Sequence, residues 1–111
     1  MSRASMIARY AKTLLHERNV GSTGASGGRI SSWETRHSAV ACAEQPASAR
    51  TVARFAAVQM VVNTTIFVAS DIAALADDRL TIGTRVFLVR GYRDATAGLA
   101  YCWRADCEEV L

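Results

Sequence analysis

Proline is almost missing from this chain. Pro46 is the only one in 111 residues, which excludes a polyproline segment or a proline-rich linker. Cysteine is scarce too: Cys42, Cys102 and Cys107 are an odd number without the spacing of a disulfide framework or a zinc site. With no continuous apolar run at the N-terminus, they predict a reducing compartment and thiols acting as small buried hydrophobes. On a strand, an offset of five puts Cys102 and Cys107 on opposite faces. Long hydrophobic runs are also absent. The most apolar window, 55–69, is broken by Gln59, Asn63, Thr64 and Thr65, and it falls short of the roughly 20 apolar residues that span a bilayer. Aromatic residues make up 7%, so the core has to come mainly from Val, Ile and Leu, and its modest volume favours packing against further copies.

Residues that carry chemistry are few. His16 and His37 are the only imidazoles, and each is expected to be exposed or to make a single hydrogen bond rather than to act as a general base. Asp77 and Asp78 precede a strand, where acids commonly form turns; Glu108 and Glu109 read as a solvated tail. The glycine-rich loop 21–28 is followed by Arg29 and Ile30 and not by the Lys-Ser/Thr of a phosphate loop. No nucleophile has a base in sequence reach. The expectation is a binding or assembly protein with no enzymatic activity, cofactor or metal.

What is present is strand patterning. Across 77–94, two apolar runs meet at Gly83, and Phe87 and Val89 alternate with Leu88 and Arg90. This predicts a β-hairpin in which Gly83 supplies a positive φ. After a break at 95–98, Leu99, Tyr101, Trp103, Ala105 and Cys107 share one face of a further strand, with Ala100, Cys102, Arg104 and Asp106 on the other. Earlier strands are expected at 12–18, 30–35, 38–45 and 61–69, the third of them ended by Pro46. Residues 47–60 fit two structures, a helix capped by Ser48 or the extended arm of a long hairpin. The fold class is therefore all-β: a small antiparallel β-barrel or sandwich, with an N-terminal arm at 1–10, a single domain at 11–111 and a long middle connection at 47–63.

Charge is distributed unevenly. The net charge is +3, but residues 1–60 carry eight Lys/Arg against three acids, whereas residues 61–111 carry five Arg against seven acids. Such a split fits a basic surface toward nucleic acid as well as an ordinary solvated face.

Read in order, the chain shows Gly27-Gly28-Arg29 before Trp33-Glu34-Thr35, then a strand ending in Gln45-Pro46, then Thr65-Ile66-Phe67-Val68. A hairpin follows with Asp78, Arg79, Leu80, Gly83, Phe87, Val89 and Gly91 at its marked positions. This pattern, over about 12–107, resembles the head-closure, or head–tail joining, proteins of long-tailed bacteriophages. The resemblance implies a virion protein, assembled in the host cytoplasm, that forms a homo-oligomeric ring in the neck. It would sit between a portal or adaptor protein and a tail terminator or tail tube protein. Genomic double-stranded DNA would pass through the lumen, and no membrane is involved. The family's gating loop maps to 47–63, making Arg50 and Arg54 candidates for a channel wall facing phosphates. Tyr10, Arg29 and Trp33 are candidates for contacts with neighbouring rings, although Trp33 fits core or edge packing as well. The competing reading is a small nucleic-acid-binding β-barrel, whose stacking residues would be Tyr92, Tyr101 and Trp103.

Overall fold

Every strand carries an apolar row on one face, and closing these rows on one another yields a closed six-stranded barrel with all pairings antiparallel. The structure, a computed structural model, describes residues 12–21, 32–95 and 102–110. Its elements are β1 (Lys12–Asn19), β2 (Trp33–Pro46), α1 (Ala49–Ala56), β3 (Thr64–Val68), β4 (Arg79–Ile82), β5 (Arg85–Asp94) and β6 (Trp103–Val110). The strand order around the barrel is β1-β2-β3-β6-β5-β4, and the β1–β4 pairing closes it. Leu14, Val40, Cys42, Ile66, Val68, Leu80, Phe87, Val89, Ala105 and Cys107 form the interior. Burying a side chain such as Leu14 or Phe87 contributes about 1.5–3 kcal/mol.

The hairpin at Gly83 forms as its sequence predicts, with Ile82 opposite Arg85 and Gly83 at φ +61°. Phe87 and Val89 are fully buried, while Leu88 and Arg90 are half-buried. Cys102 and Cys107 do lie on opposite faces: Cys107 joins the interior, and Cys102 joins an outer cluster with Ala43 and Phe67. Burial pushes the Cys42 thiol up to about 11 and raises that of Cys107 as well.

The middle connection resolves as a helix. Ser48 takes extended backbone geometry and its Oγ accepts a hydrogen bond from the Thr51 N–H, the arrangement of an N-cap. The helix α1 lies against the outside of the sheet. Thr51 Oγ1 accepts from Arg104 Nη2 at 2.7 Å, Arg104 Nε donates to Asp106 Oδ1 at 2.9 Å, and Thr65 Oγ1 bonds the same carboxylate oxygen at 3.3 Å. Phe55 comes down over Gly91, where a Cβ would stand 3.0 Å from the ring. Covered on both faces, all five residues of β3 are buried. Asp106, although on the outward face of β6, is 2% exposed.

Three strand expectations are corrected. The separate strands at 30–35 and 38–45 are, from Trp33 onward, a single 14-residue strand. It absorbs the apparent break through register irregularities opposite His16, with Ala39 at φ +53°, and such bulges are invisible to period-two patterning. The strand expected over 61–69 is limited to Thr64–Val68; Val62 is instead buried ahead of it, and Asn63 donates its N–H to the Cys107 carbonyl. Glu108 and Glu109 are not a tail but the continuation of β6, where Arg90 and Arg85 pair with them. The arm at 1–10, most of the glycine-rich loop and the positions 99–101 lie outside the described residues.

A Cβ at position 83 would meet nothing within 4 Å, so substitution there tests backbone conformation alone. Gly83→Val is expected to lower stability by about 1 kcal/mol or more in urea unfolding. An unchanged midpoint would remove the positive φ from the account of this turn.

Candidate functional site

Along β1 the inward row runs Leu14, His16, Arg18, changing from apolar to cationic as it approaches one end of the barrel. A buried imidazole and a guanidinium at the mouth of an apolar barrel need an acceptor, and Asp78 supplies a carboxylate from the start of the β4 hairpin. His16 is 0% and Asp78 2% exposed. Their side chains meet at 2.7 Å, His16 Nε2 to Asp78 Oδ2, and Arg18 donates to both carboxylate oxygens at 3.1 Å. The backbone N–H of Leu75 donates to Asp78 Oδ2 at 2.9 Å. Burial opposes the charge on Asp78, but Arg18, the Leu75 N–H and His16 together outweigh it and hold the carboxyl below its usual range. The same contact raises the Arg18 guanidinium.

This network fastens the segment that crosses the barrel end between β3 and β4. Ile72 and Ala74 of that segment drop into the interior. Arg18 Nη2 donates to the Ala73 carbonyl. Tyr92 Oη donates to Asp71 Oδ1 at 2.8 Å and accepts from the Ile72 N–H at 3.1 Å, and burial, followed by the Asp71 contact, raises the phenol. Beyond His16 lies His37 of β2: the two Nδ1 atoms are 3.0 Å apart and the rings are parallel within 4°. Asp78, His16 and His37 thus form a chain of hydrogen bonds from the buried barrel end to the exposed side of β2. Beside it, Arg18, Asn19, Trp33, Leu75, Asp78 and Arg90 line an open groove of about 590 Å³. Chemically, the chain can hold a proton between two imidazoles, with an ionised carboxylate fixing the inner tautomer.

The expectation that each histidine is exposed or makes one hydrogen bond is therefore wrong for His16, which is fully buried and makes two. The signal was present only as an inward-facing position on β1, and His37 and Asp78 come to it from 21 and 62 residues away. Asp77 and Asp78 do bound a turn, with Asp77 at φ +69°, but their side chains part. Asp77 is exposed and pairs with Arg90, while Asp78 is buried.

Of the residues singled out by sequence, Arg50 and Arg54 come together on α1. Arg50 is exposed; Arg54, with its side chain 54% exposed, stands 3.5 Å from Asp106 and 5.1 Å from the centroid of the Phe55 ring. Near them Val52, Val58, Met60 and Val61 are exposed. Trp33 is on another element, at the start of β2, half-buried with the Arg79 guanidinium 4.1 Å above its ring. Tyr10 and Arg29 lie outside the described residues. No protein-family model and no curated protein matches the chain. Among solved structures, the solution structure of protein SF1141 from Shigella flexneri 2a is similar, with a TM-score of 0.64 at 16% identity, covering 88% of this chain and 90% of that one. At that identity the likeness establishes a common fold.

Replacing Asp78 leaves His16 and Arg18 without their shared acceptor, so Asp78→Ala is expected to cost about 3 kcal/mol or more by chemical denaturation. Because the folded carboxyl titrates below its unfolded value, its contribution is fully present above roughly pH 4 and is lost as the pH falls through the folded value. The wild type should therefore lose more stability than Asp78→Asn on acidification below about pH 4. Parallel curves would show that this carboxylate is not held ionised.

Proposed function

We propose that this chain is a ring-forming structural protein of a bacteriophage neck, placed between the portal or adaptor and the tail and surrounding the DNA channel. The observation that carries the reading is the outer strap at 47–63. It contains no acid, holds Arg50 and Arg54 outward on α1, and exposes Val52, Val58, Met60 and Val61. Exposed apolar side chains beside the outward Arg50 and the half-exposed Arg54, which keeps Asp106 within 3.5 Å, suit a surface that meets both a neighbouring copy and a polyanion. The ordered resemblance of the hairpin and strand motifs to head-closure proteins supplies the neck assignment. The monomeric nucleic-acid barrel is less well served. Tyr92 and Trp103 pack against the interior, and Trp33 is covered by Arg79, so these three rings are poorly placed for base stacking.

The experiment is light scattering of the purified chain alone and mixed with portal-bearing heads from the same genome. Multi-copy recruitment to heads is expected; a monomer that ignores heads and binds DNA in a salt-dependent manner would overturn the neck reading. For the channel wall, the variant is Arg50→Glu with Arg54→Gln, which avoids setting a new acid beside Asp106. It should leave unfolding within about 0.5 kcal/mol of wild type, retain ring incorporation and impair DNA retention in assembled particles. Normal retention would remove these arginines from the channel.

A further inference from the structure

Independently of the neck assignment, we propose that the His16–His37 contact is a one-proton latch that holds the β2 segment 33–39 onto β1 and releases it when the second imidazole is protonated.

The argument starts from hydrogen counting. Asp78 accepts from His16 Nε2–H, so the neutral His16 ring has a lone pair at Nδ1. The facing Nδ1 of His37, 3.0 Å away, must then carry the hydrogen that joins the two rings. One added proton leaves the bond intact, because whichever ring is charged, a single N–H still lies between the two nitrogens. A second proton places N–H against N–H and cation against cation across that 3.0 Å separation. The bond is lost, and the parallel rings have to part.

Charged neighbours on the adjoining elements are Glu17 and Arg18 on β1, Glu34 and Arg36 on β2, Asp77 and Asp78 before β4, Arg79 on β4 and Arg90 on β5. Glu17–Arg79, Glu34–Arg36 and Asp77–Arg90 are matched with one another, whereas Asp78 is shared by Arg18 and His16. Imidazole is the side chain that ordinarily changes charge between pH 5 and 8. His37 is exposed and so receives protons directly from solvent.

The position is mechanically suited to release. Register irregularities flank the His16–His37 pair on both sides, and Ala39 is at φ +53°, so the ladder is weakest there. Residues 33–41 pair with β1 alone, since β3 joins β2 only from Cys42 onward. Residues 34–39 are exposed throughout and bring no core contacts to resist separation.

The test is imidazole NMR titration of the full chain from pH 8 to 5, combined with amide hydrogen exchange corrected for intrinsic rates. Proton uptake is expected in two coupled steps. Protection at residues 35–38 should fall about tenfold or more with the second step, while Ile66 and Phe67 of β3 remain protected. His37→Gln is the control, because its exposed site tolerates substitution and its amide can donate to His16 or, turned over, accept from it. Protection of the segment in that variant should not change with pH. Independent titration of the two rings with no change in the segment would overturn the latch. So would simultaneous loss of protection at Ile66 and Phe67, or the same acid loosening in His37→Gln.

Discussion

A carboxylate that is 2% exposed keeps its charge only if every polar group around it is turned inward, and this requirement at Asp78 organises one whole end of the barrel. His16, Arg18 and the Leu75 N–H converge on it. In doing so they tie β1, the start of β4 and the segment between β3 and β4 into one unit. The apolar side chains Ile72 and Ala74 then close the interior from above. A barrel sealed by Leu or Phe alone would be as dry, but it would lack the line of hydrogen bonds that reaches from Asp78 to the exposed face of β2. The polar plug is thus both the closure of the fold and the origin of the hydrogen-bonded line from Asp78 through His16 to His37.

The outer surface follows a different logic. The helix α1 is held against β3 and β6 by the polar set Thr51, Arg104, Asp106 and Thr65, with Phe55 seated over Gly91. Because the inward side of this strap is satisfied by few side chains, Arg50 and several valines are left outward. The helix turns Thr51 and Phe55 toward the sheet and leaves Val52 exposed beside Arg50 and Arg54, with Val58, Met60 and Val61 exposed just after it. In the neck reading proposed above, this exposed side is the assembly surface. The groove beside the plug differs, since its arginines are already committed to Asp77, Asp78 and Glu108.

Features written into neighbouring residues could be read from the chain directly. The Gly83 turn, the alternation of Phe87 and Val89 with Leu88 and Arg90, and the opposite faces of Cys102 and Cys107 are each fixed by local backbone geometry or by a period of two, while the cap at Ser48 was one of two structures the chain offered there. The all-β antiparallel class, barrel or sandwich, was within reach for the same reason, and the β1–β4 pairing decided for the closed barrel. Features that depend on what lies opposite were not legible. The continuity of β2 depends on bulges that only pairing with β1 imposes. The burial of His16 depends on a partner 62 residues distant, and Glu108 and Glu109 are held in β6 by arginines from β5.

The sequence by itself therefore determined the all-β class, the placement of most strands and the hairpin, and it offered the helix at Ser48 as one of two structures, because periodicity, turn stereochemistry and capping act over a few residues. Tertiary structure alone decided which strands pair to close the barrel, which acid is buried and which is exposed in Asp77–Asp78, and that two histidines share one hydrogen bond. The reason is physical: a strand's inner face is encoded along the chain, but a polar residue on that face is tolerable only once its partners arrive, and those partners are chosen by long-range closure.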